Sequence, residues 1–407
     1  MPDPLLMIPG PVPVREDVLA ALAEPVRSHT SAENAASLRR AQRGICALVG
    51  SEGALVHVLA GSGTLAMEVA LVNHAAPGER VVVCSEGFFG DRFVEIATAL
   101  GQEAVPVRSE WGRRLDPEAV RRACVSGPAP AVVTITHVDT STGVLADVPA
   151  LVAVAREHGA LVVLDGVCAT GAVEETMDAW GVDVVITGAQ KGLGLPPGLT
   201  VAAVSVRARE RRAALASVAA YYADLRRWEP VMEEPTRYFS THATSLIRAL
   251  GVSLDAIEAE GLGPRFERHR RVAAGLRAGM AVLGFTPLTE AAALAPTLSV
   301  LALPPGVDDA ELRAGMAARG VLVAGCLGAL AGRGIRIGHL GNAGAAEVER
   351  TLAAVAGALG RIPARRSRPP ASTSAPPPPD PSPAVYPDVM PQGYSGTQRG
   401  SLTPGSL

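Results

Sequence analysis

Short apolar runs alternate with longer amphipathic stretches along the first half of the chain. The apolar runs span four to seven residues and are rich in valine, alanine and leucine, which is typical of buried strands. In the stretches between them apolar residues recur every three or four positions, the spacing of an amphipathic helix. Strands that are joined by helices form parallel sheets, so the pattern predicts one large α/β sheet. Its expected strands are residues 55–59, 80–84, 104–107, 131–136, 160–164, 182–186 and 200–206.

The helical pattern covers the segments between these strands and the region before them. The predicted helices of this part are residues 15–23, 32–49, 64–74, 89–100, 117–124 and 149–158. The alternation breaks near residue 231. Beyond that point we expect helices at 245–260, 264–283, 309–319 and 345–359, and strands at 298–303 and 334–337.

These elements predict an α/β protein with two domains. The larger one contains a mainly parallel seven-stranded sheet flanked by helices, and the smaller C-terminal domain is α+β. After residue 360 the composition changes to proline, serine and arginine, from which no core can form. The expected division is an extended N-terminal segment (1–14), a large domain (15–244), a small domain (245–360) and a disordered tail (361–407).

Composition and charge narrow the possible functions. Hydrophobic residues make up 48% of the 407 residues, and the formal net charge of −3 argues against a nucleic acid or an anionic membrane as a partner. No apolar run reaches the length of a membrane span. The five cysteines lack CxxC spacing and the eight histidines are scattered, so we expect a cytoplasmic protein without a metal site.

Lys191 is the only lysine in the chain, since every other residue among its 37 lysines and arginines is an arginine. An arginine carries a surface charge as well as a lysine does. Only a lysine can lose its proton near neutral pH and attack a carbonyl carbon. Lys191 follows a predicted strand and lies among glycines and prolines that allow a ligand to approach the backbone. The sequence therefore favours Lys191 as a nucleophile that forms a Schiff base, over a residual surface charge.

A phosphate-binding turn is predicted where the first strand of the sheet passes into a helix. Gly61 and Gly63 allow backbone N–H groups to face an anion at the helix N-terminus, and Ser62 and Thr64 add hydroxyl groups. An ordinary capped turn would use the same residues. A dinucleotide-binding turn is a further alternative, because Glu86 follows the next strand as the acidic residue of that fingerprint does.

Three more polar features follow or interrupt predicted strands. Asp165 ends an apolar run, where it is either a helix cap or the carboxylate that keeps a bound pyridine nitrogen protonated. Together with Lys191 and the glycine turn, it would complete a site for pyridoxal 5'-phosphate. The hydroxyl-rich segment 136–143 either contacts a ligand or forms a polar turn. Arg336 lies inside an apolar strand and must pair with a carboxylate of the protein or of a ligand.

The motifs together resemble the class V aminotransferases of fold type I, and within them the alanine–glyoxylate and serine–pyruvate branch. The resemblance extends from about residue 5 to residue 359 and keeps the family's order of motifs. It rests on Pro9-Gly10-Pro11, Gly61-Ser62-Gly63, Ser141-Thr142-Gly143-Val144-Leu145, Asp165-Gly166-Val167, Gly188-Ala189-Gln190-Lys191, Pro196-Pro197-Gly198 and Arg336-Ile337-Gly338.

The resemblance implies roles for individual residues. Lys191 would form the Schiff base with pyridoxal 5'-phosphate, and Asp165 would pair with the pyridinium nitrogen. Arg336 and Gly10 would bind the substrate. Further cofactor contacts are implied for Ser62, Gly63, Thr64, Phe89, Thr140, Val167 and Gln190, and for Tyr238 and Thr241 of the neighbouring subunit in a homodimer with shared active sites.

The implied activity is the transfer of an amino group from alanine or serine to glyoxylate or pyruvate by a ping-pong mechanism. Phe89 and Thr64 stand where the alanine–glyoxylate enzymes have tryptophan and histidine, so the donor and the acceptor stay open. Aminoethylphosphonate–pyruvate and ureidoglycine–glyoxylate transaminases are alternatives. A cysteine desulfurase would use Cys326 as its nucleophile, but Gln190 stands where desulfurases have histidine. A non-catalytic scaffold would have lost a cofactor residue, and all of them are present.

Overall fold

The computed structural model describes residues 3–360, and the elements follow the predicted order. The strands are β1 (Leu5–Leu6), β2 (Leu55–Gly61), β3 (Arg80–Ser85), β4 (Glu103–Arg108), β5 (Val132–Thr136), β6 (Val138–Asp139), β7 (Val144–Leu145), β8 (Leu161–Asp165), β9 (Val184–Gly188), β10 (Gly198–Val204), β11 (Thr286–Pro287), β12 (Leu298–Ala302), β13 (Val321–Leu322), β14 (Ala324–Gly325) and β15 (Gly334–Gly338). The helices are α1 (Glu16–Ala23), α2 (Ala32–Val49), α3 (Gly63–His74), α4 (Phe88–Ala99), α5 (Pro117–Val125), α6 (Val148–Glu157), α7 (Met177–Trp180), α8 (Val206–Ala214), α9 (Leu225–Glu233), α10 (Thr244–Glu260), α11 (Leu262–Val282), α12 (Asp309–Ala317) and α13 (Ala345–Leu359). The expected disordered tail, residues 361–407, lies outside the described residues.

The large sheet has seven strands in the order β2-β10-β9-β8-β5-β3-β4. The pairs from β9 to β4 are parallel, whereas β10 is antiparallel to both of its neighbours. The prediction of a mainly parallel seven-stranded sheet is therefore confirmed. Since β10 is the one reversed strand of this sheet, the carboxyl ends of the other six meet at the same edge, which is where open α/β sheets bind ligands.

Helices on the sheet bury its strands on both faces. Strands β3, β5, β8 and β9 are buried along their whole length, which explains why they read as continuous apolar runs instead of alternating ones. Phe93 and Trp228 are the bulkiest side chains of the hydrophobic cluster around the sheet. No helix within residues 3–360 combines the length and the apolar character needed to cross a membrane.

A second, antiparallel sheet has the order β11-β12-β15-β14 and its own hydrophobic cluster. Helices α11, α12 and α13 supply apolar residues such as Met280, Leu312 and Val355 to that cluster. Met7 belongs to it as well, because the N-terminal strand β1 pairs in parallel with β13. The separate clusters suit a large and a small domain, and the boundary between residues 244 and 245 stays a prediction.

Local details after β9 differ from the sequence prediction. The last strand was expected to reach residue 206, but β10 ends at Val204, because the Ser205 hydroxyl accepts a hydrogen bond from Ala208 N (3.1 Å) and caps α8. Neither α8 nor α9 was predicted. The apolar pattern of α8 is interrupted by four arginines, and α9 contains Pro230, a residue that usually ends a helix, so neither segment has a clear helical pattern.

Candidate active site

A cavity of about 140 Å³ lies at the carboxyl edge of the large sheet. This volume is roughly ten times the space that one buried water needs. Nine of the thirteen residues predicted for the site line it: Ser62, Gly63, Thr64, Phe89, Thr140, Asp165, Val167, Gln190 and Lys191. These residues come from five separate segments that follow strands or begin helices, and the parallel topology brings them together.

Lys191 reaches the cavity from the turn that follows β9. Its Nζ donates a hydrogen bond to the carbonyl oxygen of Pro9, 182 residues earlier in the chain. Gly10 lies directly over the lysine side chain, with φ of +119°, and a Cβ atom there would be 2.5 Å from Lys191 Cδ and 2.8 Å from Nζ. Gly10 thus contacts the predicted nucleophile, although it does not line the cavity itself.

Asp165 ends β8, the strand next to β9, and its side chain is buried. One carboxylate oxygen accepts a hydrogen bond from Val167 N (2.9 Å). Burial raises the pKa of this carboxyl group to about 7, since a charged group loses hydration inside the protein. Asp139 adds to the rise, whereas Lys191 opposes it.

A buried group of polar side chains, His137, Thr170 and Glu175, lies next to Asp165, and no sequence pattern predicted it. The backbone N–H of His137 donates to the carbonyl oxygen of Asp165 (3.0 Å), and the His137 ring bonds to Glu175 through Nδ1 (2.9 Å). The Thr170 hydroxyl donates to the other oxygen of Glu175 (2.8 Å). No spacing rule links residue 137 to residue 175, so only the folded structure reveals this pair.

The N-terminus of α3 also lines the cavity. Ser62 caps the helix, because its hydroxyl accepts a hydrogen bond from Leu65 N (3.3 Å). The backbone amides of Gly63 and Thr64 have no acceptor within residues 3–360, and such free amides at a helix N-terminus attract anions. The Oε1 atom of Gln190 is buried nearby without a hydrogen-bond partner in the described chain.

Segment 136–143 turns out to be mainly a polar turn. Asp139 accepts hydrogen bonds from the backbone amides of Phe89 and Gly90 (3.0 and 3.1 Å) and from both the amide and the hydroxyl of Ser141 (2.9 and 2.6 Å). These bonds fasten the segment to the first turn of α4. Val138 and Thr140 are the two residues of this segment that line the cavity.

Four cavity residues were missed by the sequence analysis: Met67, Arg92, Val138 and Cys168. Arg92 could have been found, since it follows Phe89 by three positions in a helix and so shares its face. Its guanidinium lies 4.8 Å from the centre of the Phe89 ring and donates a hydrogen bond to the hydroxyl of Thr64 (3.2 Å).

Arg336 lies on β15 of the small sheet and is 9% exposed. Its guanidinium donates to the carbonyl oxygens of Gly325 (2.7 Å) and Thr140 (3.2 Å). No carboxylate of residues 3–360 lies within ion-pair distance of it, and burial lowers its pKa. The sequence left open whether Arg336 pairs with a carboxylate of the protein or of a ligand. In the described chain it does not pair with a protein carboxylate. The bond to Thr140 links Arg336 to the cavity wall.

Tyr238 and Thr241 are both exposed and do not line the cavity of their own subunit. Tyr238 is 63% exposed, and its ring packs near His29, with 5.1 Å between the ring centres. Their expected role involves a neighbouring subunit, so it stays a prediction.

The structure argues against a dinucleotide-binding site and against a cysteine desulfurase, because the residues that these alternatives need, Glu86 and Cys326, are buried. Glu86 is buried and accepts a hydrogen bond from Leu115 N (2.8 Å), and burial raises its pKa to about 8. Glu86 is 3% exposed and does not line the cavity, so it cannot reach a ribose there as the acidic residue of a dinucleotide site does. Cys326 is also buried, and its pKa is raised to about 11, which leaves little of the thiolate that a desulfurase needs.

Comparisons with known proteins agree with this geometry. The family model described as aminotransferase class-V matches residues 19–326. A soluble hydrogenase small subunit from Synechococcus is 35% identical over 88% of this chain and 93% of its own length. An L-aspartate–glyoxylate aminotransferase from Paracoccus denitrificans is 31% identical over 83% of this chain and 86% of its own. The crystal structure of an alanine–glyoxylate aminotransferase from Nostoc superposes with a TM-score of 0.85 and 30% identity, covering 88% of this chain and 96% of that one.

Proposed function

Because this chain belongs to the class V aminotransferases, we propose that it transfers the amino group of a small amino acid, alanine or serine, to glyoxylate or pyruvate. Enzymes of this family depend on pyridoxal 5'-phosphate. The observation that carries the proposal is that Lys191, Asp165 and the free N-terminus of α3 line one cavity. These are the three groups that the cofactor's aldehyde, ring nitrogen and phosphate require.

The residues of the cavity fit pyridoxal 5'-phosphate by their chemistry. The unpaired amides of Gly63 and Thr64 and the side chain of Ser62 suit a phosphate group. Phe89 and Val167 also line the cavity, where an aromatic and a branched apolar side chain would pack against a flat ring. When bound, the cofactor supplies an aldehyde that exchanges amino groups and a ring that withdraws electrons from the substrate.

Lys191 would hold the cofactor covalently and, once released by the incoming amino acid, move a proton from the substrate Cα. The contacts of its side chain support this role. Pro9 accepts the hydrogen bond of Nζ, and Gly10 leaves room for the amine only because it lacks a side chain. These contacts limit the rotamers of a lysine that lines the same cavity as Asp165.

Asp165 would keep the ring nitrogen of the cofactor protonated. In its buried position the carboxyl group has a pKa of about 7, so it shares its proton readily near neutral pH. A pyridinium cation beside it would stabilise the carboxylate and lower this pKa. The pair formed in this way carries no net charge and is therefore tolerated in a buried site.

Arg336 would bind the α-carboxylate of the substrate, and Gly10, which contacts Lys191, would also contact the substrate. Its guanidinium is oriented by the carbonyl oxygens of Gly325 and Thr140 and is not neutralised by a carboxylate of residues 3–360. A planar fork of this kind suits a carboxylate. The related enzymes from Paracoccus denitrificans and Nostoc both have glyoxylate in their names and differ in the amino donor, which supports glyoxylate as the acceptor. Ureidoglycine and aminoethylphosphonate remain alternative donors.

We also propose a cytoplasmic homodimer in which Tyr238 and Thr241 complete the phosphate site of the neighbouring subunit. The exposure of both residues supports the dimer, and the five unpaired cysteines support a reducing compartment. A mixture of Lys191→Ala subunits with Tyr238→Ala subunits tests the sharing. It should recover activity that neither variant has alone, since one of the two sites in a mixed dimer is intact.

Half-reaction spectroscopy tests the activity itself. The holoenzyme is mixed separately with alanine, serine, glycine, aspartate and aminoethylphosphonate, and the absorbance of the lysine-bound cofactor is followed. We expect alanine or serine to remove this absorbance and glyoxylate or pyruvate to restore it. Lys191→Ala should abolish turnover, with Cys326→Ala as a control that keeps it. Turnover of amino acid by Lys191→Ala at the wild-type rate would refute the mechanism.

A further inference from the structure

Arg92 is a cavity residue for which the proposed function has no role. It lies at the start of the second turn of α4, and its guanidinium carbon is 5.2 Å from the centre of the Phe88 ring and 4.8 Å from that of Phe89. One of its nitrogens donates a hydrogen bond to Thr64 Oγ1 (3.2 Å). Thr64 is the second residue of α3, so Arg92 links the aromatic wall of the cavity to the predicted phosphate-binding turn.

The charge of Arg92 is not balanced by the protein. No ion pair involves Arg92 among the residues that the structure describes. The acidic residue closest in sequence, Asp91, pairs with Arg108 instead (2.8 Å). The guanidinium also faces the N-terminus of α3, which itself carries a partial positive charge. A cation at this end of a helix is unfavourable unless an anion lies between them.

The hydrogen bond from Arg92 determines what the Thr64 hydroxyl can do. A threonine hydroxyl has one proton to donate and can accept two hydrogen bonds, whereas a guanidinium only donates. With Arg92 bound to its oxygen, Thr64 keeps its proton for another acceptor. The free amides of Gly63 and Thr64 face the same region, so an oxygen-rich anion is the acceptor that satisfies all of these donors.

We propose that Arg92 is a further cofactor-positioning residue, which orients the Thr64 hydroxyl toward the phosphate group of the cofactor and adds positive charge beside it. This inference rests on the proposed function, since it assumes that the anion is the phosphate of pyridoxal 5'-phosphate. The rings of Phe88 and Phe89 hold the guanidinium in place through cation–π contacts, which a flexible ammonium group makes less well.

The affinity of the apoprotein for pyridoxal 5'-phosphate measures this role directly. Cofactor binding is followed by absorbance in Arg92→Met, which keeps the apolar stem but loses the charge and the donors. We expect its dissociation constant to be about 10- to 100-fold higher than that of the wild type. Arg92→Lys should lie between the two. The matched control is Arg108→Met, which removes an arginine near the same helix and should bind the cofactor as the wild type does.

A double-mutant cycle with Thr64→Val shows whether Arg92 acts through the threonine. If it does, Arg92→Met should weaken cofactor binding much less in the Thr64→Val background than in the wild type. Thermal unfolding of each apoprotein shows whether it is folded, and Arg92→Lys remains informative if the methionine variant is not.

Several results would overturn the inference. An unchanged dissociation constant in both Arg92→Met and Arg92→Lys would do so, and so would equal losses with and without Thr64. A rise in KM for a dicarboxylic amino acid, with unchanged cofactor affinity, would assign Arg92 to the substrate instead. A wild-type protein that fails to bind pyridoxal 5'-phosphate would refute the proposed function, and the inference with it.

Discussion

Asp165 shows how one buried carboxyl group serves the reaction at a cost in stability. Within residues 3–360 its carboxylate has no cationic partner at hydrogen-bond distance and accepts one hydrogen bond, from Val167 N. The pKa of about 7 in the folded chain lies above the 3.8 of a solvated aspartate, because burial disfavours the charged form. Above about pH 7 the empty site therefore holds a buried negative charge, which a bound cation would neutralise.

Replacement of Asp165 by asparagine should stabilise the apoprotein at alkaline pH. Since the folded-state pKa exceeds the unfolded one, the contribution of Asp165 is most favourable below about pH 4 and is lost as the pH rises through about 7. Asparagine keeps the bond from Val167 but never ionises. We expect Asp165→Asn to be more stable than the wild type by a few kcal/mol at pH 8 and by less at pH 5.

Urea unfolding of both apoproteins at the two pH values checks this prediction, and transaminase activity should fall at least 100-fold in the variant. If Asp165→Asn were less stable than the wild type at pH 8, the Asp165 carboxylate would instead be ionised and stabilised in the folded apoprotein.

Gly10 is the residue where a single methyl group should abolish activity. Its φ of +119° is unfavourable for other residues, and a Cβ atom would lie 2.5 Å from Lys191 Cδ. We expect Gly10→Ala to displace the lysine and to lower kcat strongly. Gly53→Ala is the matched control, because a Cβ atom at Gly53 has no neighbour within 4 Å. Steady-state kinetics of both variants tests this prediction. Equal kcat values would show that a methyl group at position 10 does not disturb Lys191.

At the scale of elements, the first turn of α4 depends on a side chain from another segment. The helix has no capping side chain of its own at Gly87, and Asp139 takes that role for the amides of Phe89 and Gly90. A Cβ atom at Gly87 would lie 2.7 Å from the Asp139 carboxyl carbon, so the glycine is required for this approach. Asp139 thereby holds Phe89 at the cavity.

Removal of the Asp139 carboxylate should destabilise the fold. Asp139→Ala leaves buried donors of Phe89, Gly90 and Ser141 without an acceptor, and we expect a loss of about 3 kcal/mol in the free energy of unfolding. Asp147→Ala is the control, since it removes an exposed cap of α6 and should cost about 1 kcal/mol. Urea unfolding measures both, and similar losses would mean that the buried bonds contribute little.

At the scale of the whole molecule, the N-terminal segment connects the small sheet to the active-site lysine. Leu5 and Met7 donate backbone hydrogen bonds to Gly320 and Leu322, and Gly338 donates to Met7 in turn. A few residues later the carbonyl oxygen of Pro9 accepts from Lys191. Residues 3–14, the described part of the segment predicted to be extended, thus pair with β13, bond to β15 of the small sheet and contact the active-site lysine.

Deletion of residues 1–11 should therefore weaken stability and cofactor binding together. The loss of Met7, which is 1% exposed, removes about 1.5–3 kcal/mol of apolar burial, and Lys191 loses its hydrogen-bond acceptor. Deletion of residues 1–3 alone ends before β1 and should change neither property. Thermal unfolding and cofactor titration test this, and a normal cofactor affinity after the longer deletion would show that the segment does not support the site.

The sequence by itself determined the succession of strands and helices, the family and the chemical character of the site. Apolar periodicity depends on neighbouring residues, so it is readable along the chain, and a lone Lys191 and an Asp165 at a strand end are visible in the same way. Among the helices of more than one turn in the large-sheet region, α8 and α9 were not predicted. Arginines in α8 and a proline in α9 obscure the apolar pattern there.

The tertiary structure alone decided which of these residues meet. The antiparallel pairing of β10 with β2, the bond from Arg92 to Thr64, the cap that Asp139 places on α4 and the contact of Pro9 with Lys191 join positions that are 28 to 182 residues apart. No local pattern encodes such contacts, because they result from the simultaneous packing of many elements. For the same reason the sequence indicates pyridoxal 5'-phosphate, whereas the choice of amino donor depends on the shape of a cavity that forms only in the folded protein.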